Sequence, residues 1–273
     1  MSKKFIPHDI GRFLVLPGRK LYGFMVKSTV KPGVLQKIVS IPAEKGLTIL
    51  YVSFSAPRKI GEPITGVGFL DFTDSKVTPK QLAEEIGKLD FVEEVEIIKP
   101  EIEGFIADTI SFPLMVGDNR AILLRDVAIK GLVTNIRKHF GSGVEAFLYH
   151  LGFETGLEFG KNHKKLGELL GIKDKLEAFK HISTNMYLCV GYGYMEVLKL
   201  KEKPPYAFIR IYRCFECELG KGAKKPYSHL VRGMIAGVLT EIFGKKMTAR
   251  EITCIAKGDA YCTFEVKPES FKI

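Results

Sequence analysis

Five cysteines stand in 273 residues, and four of them fall between positions 214 and 262. Cys254 and Cys262 flank a tight turn in EITCIAKGDAYCTFEV (251–266), and Cys214 and Cys217 form the step CFEC. If KGD makes a three-residue loop centred on Gly258, Cys254 lies opposite Cys262 and shares a face with Ile252 and Ala256. A two-residue loop would shift the register and put the thiols on opposite faces. Neighbouring thiols on a half-buried hairpin admit three chemistries: inert packing, a cross-strand disulfide, or half of a tetrahedral zinc site. An odd cysteine count without a recognisable secretory leader argues against a disulfide framework. CFEC has the gap of a zinc knuckle, yet RIYRCFECEL reads as a strand, where residues three apart point to opposite faces. Cys217, on the face of Phe215 and Leu219, is then the better partner for the hairpin, and Cys189 is isolated packing.

The elements that must position these thiols can be read from hydrophobic periodicity. LYGFMVKS (21–28) alternates as a strand, and VKPGVLQKIVSIPAEKG supplies a turn and a helix with Val34, Leu35, Ile38 and Ile41 at helical spacing. LTILYVSFS (47–55) and ITGVGFLDF (64–72) read as paired strands. Thr78 caps a helix that begins with Pro79 and buries Leu82, Ile86 and Leu89, and FVEEVEIIKP closes the unit as a fourth strand. The order βαββαβ is the ferredoxin-like arrangement. Past KPEIEG near residue 100 the pattern turns to long helices, about 119–140 and 143–161, with Ser142 and Glu145 at capping-box spacing. Val144, Phe147, Leu148, Leu151, Thr155 and Phe159 mark the buried face of the second. A helical stretch over about 164–185, the strands YMEVLKL and YAFIRIYRCFECEL, a helix over 227–243 with Gly244 as its cap, and the cysteine hairpin complete the chain. The fold class expected is α/β in the broad α+β sense, with a segment 1–20, a ferredoxin-like domain 21–100 and a second domain 101–273.

Composition narrows the class. With 46% hydrophobic and 26% charged residues, the chain can bury two modest cores, and disorder is excluded. No run of apolar residues is long enough to span a membrane, and MSKKFIPHDIGRF lacks the apolar centre of a secretory signal, so a cytoplasmic location is expected. The net charge of +10 is spread over short lysine groups rather than one block. Four Asn and two Gln beside many Lys and Glu suit a thermophile. No Ser-His-Asp set, dinucleotide fingerprint or phosphate-cradling loop is present, and no catalytic residue is assigned.

Two resemblances follow from these segments. The stretch VKPGVLQKIVSIPAEKGLTI resembles the opening of an ACT domain, a small regulatory module that often binds amino acids at a dimer interface. The resemblance implies a turn of Lys31, Gly33 and Leu35 that brings backbone close to a ligand, with Lys31 where that family usually carries an acidic or amide residue. EITCIAKGDAYCTFEV, preceded by SHLVRGMIAGVLTEIFGKKMTAR and by YHLGFETGLEFG, resembles the 4-vinyl reductase domain family across roughly 101–273. That family includes aromatic-sensing domains in which a structural zinc is held by a glutamate, a cysteine three residues on, another eight beyond, and an upstream cysteine. The first three correspond to Glu251, Cys254 and Cys262. The upstream position falls at Ser228, which leaves His229 or Cys217 as the fourth ligand.

The resemblance implies a ligand-binding sensor or regulator, a homodimer that encloses a small apolar or aromatic organic ligand beside a hairpin stapled by zinc. Phe147, Leu151, Phe208, Tyr212 and Phe215 are the candidates to line the ligand site, because they are apolar or aromatic and lie on faces predicted to point inward. Transcription regulation fits this reading. With no helix-turn-helix evident, contact with DNA would run through the basic surface or a regulatory protein partner. Two alternatives remain: a reductase acting on a vinyl-bearing tetrapyrrole-like substrate, and an acyl-chain-binding assembly or tethering factor.

Overall fold

The computed structural model describes residues 5–29, 31–57, 59 and 61–269. The chain divides into two compact units at Ile122/Leu123.

Unit 1 contains β1 (Leu21–Thr29), α1 (Val34–Glu44), β2 (Thr48–Phe54), β3 (Pro63–Asp71), α2 (Pro79–Gly87) and β4 (Val92–Ile98). The strands pair antiparallel in the order β2-β3-β1-β4, so the βαββαβ order read from the sequence forms one ferredoxin-like sheet. Alternation along β1 sends Phe24 and Val26 toward Ile41, Leu82 and Ile86 of the helices, and Leu21 and Met25 to the opposite face. α2 starts as expected: the Thr78 hydroxyl accepts from the Gln81 amide at 3.2 Å, and Gln81 Oε1 accepts from the Thr78 amide at 2.9 Å. The opposite face of the sheet is covered by Ile106, 1% exposed, from a short strand Phe105–Ala107 paired with Phe13–Val15. Residues 101–122 thus group with unit 1, whereas the sequence pattern places them in the second domain.

Unit 2 opens with a helical segment, 126–140, whose middle (Lys130–Asn135) is π-helical. There follow α3 (Ser142–Leu169), a helical segment 175–189 with its own π-helical turn (Phe179–Ser183), β5 (Tyr194–Lys201) and β6 (Tyr206–Tyr212). α4 (Phe215–Leu219), α5 (His229–Phe243), β7 (Met247–Thr253) and β8 (Cys262–Pro268) complete it. The sheet runs β7-β8-β6-β5, antiparallel throughout. Ala207, Ile209, Ile211, Phe264 and Val266 on one face pack against Ile235, Leu239 and Ile242 of α5.

Several expectations about unit 2 need correction. The helix expected from 119 begins at Asp126, because Asn119–Arg120 turns back on Met115–Val116 as a small hairpin. Ser142 is the first residue of α3 and makes no capping hydrogen bond; Gly141, at φ 56, stands at the cap. The buried stripe of α3 also differs: Val144 and Leu148 are buried, but Phe147 and Leu151 are 58% and 46% exposed. The stripe continues through Gly152, Gly156 and Gly160 because α3 and α5 meet at backbone contact. A Cβ on Gly156 would lie 2.2 Å from the Met234 carbonyl oxygen, and one on Gly233 would lie 2.1 Å from that of Tyr149. Large side chains are therefore displaced from this seam to its flanks. Among the described residues, no helix is long and apolar enough to cross a membrane.

Candidate metal centre

The hairpin and the short helix α4 bring four donors together, and a strand irregularity makes that possible. On β7 the buried positions alternate as Met247, Ala249 and Glu251, facing inward. Strict alternation would then turn Cys254 outward. The β7–β8 register shifts between Glu251 and Thr253, so Glu251 pairs with Phe264 but Thr253 pairs with Thr263. This bulge restores Cys254 to the interior. The two threonine hydroxyls, 2.9 Å apart, lock the new register.

The loop is longer than KGD. After Cys254, whose amide donates to Asp259 Oδ2 at 2.8 Å, a 3₁₀ turn (Ile255–Lys257) leads to Gly258 at φ 104. Cys262 pairs with Ile211 rather than with Cys254, and its Sγ accepts from the Ile255 amide at 3.3 Å.

The CFEC step is helical, not a strand. Arg213 takes φ 52, a left-handed turn that ends β6, and Cys214 caps α4. Helical spacing then points Cys217 at the hairpin: its Sγ is 3.5 Å from Cys254 Sγ and 3.7 Å from Glu251 Oε1. Donor atoms of Cys217, Glu251, Cys254 and Cys262 all lie within 4.8 Å of one another, and all four residues are buried. Zinc–sulfur bonds of about 2.3 Å in a tetrahedron separate sulfurs by about 3.8 Å, so small side-chain shifts close this set on one ion.

The chemistry of the donors fits such an ion. Burial pushes the Glu251 carboxyl up to about 7, and hydrogen bonding to the thiols of Cys214, Cys254 and Cys262 holds the Cys217 thiol well above its usual range. Three thiols and a carboxylate cannot all ionise in so small a buried volume unless a cation joins them. Cys214 is also buried, with its thiol in hydrogen-bonding range of Cys217 and Cys262; these contacts pull it down to about 6. It stands beside the four as a further thiol.

His229, the other fourth-ligand candidate, is directed elsewhere. Its Nδ1 lies 3.1 Å from the Tyr227 carbonyl oxygen and 3.2 Å from Arg137 Nη2, and its Nε2 is 3.5 Å from Glu145. Ser228 contributes its backbone amide, which donates to Glu251 Oε2 at 3.2 Å.

Sequence reasoning missed Glu216 and Arg137. Glu216, fully buried between the two cysteines of CFEC, accepts from Arg137 Nη2 at 2.9 Å and from the amides of Leu230 and Val231 at 3.2 and 2.9 Å. It thereby caps α5 from another element. Its carboxyl is pushed up to about 7 by burial. Read as a strand, CFEC gave no signal for this role.

The five ligand-lining candidates are not brought together. Phe147 and Leu151 lie on the exposed flank of α3. Phe208 and Tyr212 alternate with the fully buried Ala207, Ile209 and Ile211, and so occupy the outer face of the sheet, a correction to the inward face expected. Phe215 alone packs on the core, 5.3 Å from the Tyr192 ring. Around it lie Tyr187, whose buried hydroxyl has no protein partner, and His163, bonded to Ser183 at 3.0 Å and pushed down to about 4 by burial. In unit 1, Gly33 takes φ 85 at the start of α1, with Lys31 and Leu35 exposed beside it.

Long helices on a four-stranded antiparallel sheet, with a buried thiol–carboxylate cluster at one hairpin, define an α+β domain organised around a candidate metal centre. The 4-vinyl reductase domain matches residues 207–268, which spans α4, α5 and every donor of the cluster. Two uncharacterized proteins of Methanocaldococcus jannaschii are similar: MJ1642 at 32% identity, covering 49% of this chain and 70% of its own, and MJ0150 at 30%, covering 47% and 68%. The chain belongs to the 4-vinyl reductase domain family. In fold it is similar to the phenol-responsive sensory domain of the transcription activator PoxR, with TM-score 0.51 and 18% identity over 56% of this chain and 79% of that one.

Proposed function

We propose that unit 2 is a sensory domain that binds a small apolar or aromatic molecule and is held closed by a structural zinc ion. The observation that carries the reading is the convergence of Cys217, Glu251, Cys254 and Cys262, donors suited to a closed, four-coordinate site. In this reading Cys217 supplies the ligand that the relatives' pattern would place at Ser228. The ion ties the hairpin to α4 and so fixes the floor of the aromatic shell formed by Phe159, Tyr187, Tyr192 and Phe215. The unpartnered Tyr187 hydroxyl within this shell favours a guest with one polar group on an apolar body. A likeness in fold to a phenol-responsive domain is compatible with such a guest. Binding would bias the packing of the helices, and a homodimer or a partner protein would read the change as regulation.

Native mass spectrometry of the anaerobically purified full chain, beside a Cys254→Ser, Cys262→Ser double variant, tests this. The expected result is one zinc mass per chain, absent from the variant, with a small organic mass retained under gentle ionisation. A metal-free wild type as stable as the variant would reduce the cysteines to packing residues.

A further inference from the structure

Phe208 and Tyr212 were expected inside and lie outside, and their surroundings give them a different use. The outer face of β6 carries Tyr206, Phe208, Arg210 and Tyr212 in strict alternation. Cross-strand register sets Lys201 opposite Tyr206, Lys199 and Glu265 on either side of Phe208, and Glu196 beside Arg210. Arg250 and Lys267 extend the same face on β7 and β8. Five cations thus stand against two carboxylates, the reverse of the balance needed for a neutral solvated face. The rings and charges are in contact: Arg210 lies 4.3 Å over the Tyr261 ring, and Lys199 and Lys267 lie 5.7 and 5.9 Å from the Tyr206 ring. Neither the cluster nor an apolar guest uses any of these groups.

We propose that this sheet face binds single-stranded nucleic acid. Half-buried rings offer stacking surface to any base, while the flanking cations match a phosphate backbone. Spacing selects the single strand: alternate residues of a β-strand are about 6.8 Å apart, twice the 3.4 Å step of a duplex strand. Bases seated on successive rings must therefore be unstacked from one another. An acidic protein would satisfy the cations but leave the rings without stacking partners.

Fluorescence anisotropy of labelled oligodeoxythymidine and of a matching duplex, titrated with the full chain at several salt concentrations, tests the proposal. The single strand should bind more tightly than the duplex, with affinity falling as salt rises. Phe208→Ala should weaken binding roughly tenfold, as expected for loss of one stacked base. Lys199→Glu combined with Lys267→Glu, both at exposed positions, should lower the salt slope by about 2. Circular dichroism and metal content should stay as in the wild type for each variant. Absence of binding at low salt overturns the proposal. So does equal affinity for duplex and single strand with Phe208→Ala neutral, which would mean charge adhesion only.

Discussion

With no exposed surface, Glu216 holds Arg137 and two amides at the start of α5, so its removal leaves a guanidinium and a helix end without partners. Breaking such a pair from one side costs about 3–5 kcal/mol. Denaturant unfolding of Glu216→Ala should show a loss of that size, and Glu216→Gln, which keeps an acceptor, a smaller one. The thiols divide differently. Cys217→Ser should lower metal affinity by more than the roughly 10- to 100-fold of an outer-sphere partner, whereas Cys214→Ser, outside the four converging donors, should retain the ion; competition with a chromogenic chelator measures both. His163 provides the pH signature. Burial holds it neutral down to about 4, while the unfolded chain takes up the proton near 6.5. Stability is therefore fully present above pH 6.5 and falls by about 3 kcal/mol as pH drops toward 4. His163→Gln, able to keep the bond to Ser183, should flatten that part of the profile in thermal melts at stepped pH.

At the scale of elements, the seam between α3 and α5 has the sharpest expectation. Gly156→Ala places a methyl 2.2 Å from a carbonyl oxygen, closer than any side-chain adjustment can relieve, so the helices must part. A loss of about 3 kcal/mol or more is expected, read as a lowered midpoint in denaturant with retained helical signal. This element also marks where the sequence was legible and where it was not. Capping signals with a proline behind them, as at Thr78-Pro79, and the alternation of β1 were plain, because local chemistry decides them. The donors Glu251, Cys254 and Cys262 were visible as a pattern, but their common face depends on a bulge that no residue type announces. CFEC was misread because the strand before it ends at Arg213 in a left-handed turn that sequence disfavours. The large side chains of α3 misled for a related reason: in a seam at backbone contact, glycine is the interior residue and the ring is the exterior one.

For the whole molecule, every donor of the cluster belongs to unit 2, so an ion bound there stabilises that unit by mass action. Differential scanning calorimetry of the full chain with and without a strong chelator should shift the transition of unit 2 downward; a trace unchanged by the chelator would speak against a structural ion. The glycine-lined contact has one more consequence for such a domain. Interlocked carbonyls and glycines prevent α3 and α5 from sliding past each other, so the two helices form a single stiff beam. The compliant parts of unit 2 are the two π-helical turns, Lys130–Asn135 and Phe179–Ser183, where the hydrogen-bond pattern is already stretched by one residue. Mechanical work done on the interior by an incoming molecule would be transmitted by the beam and absorbed at those two joints.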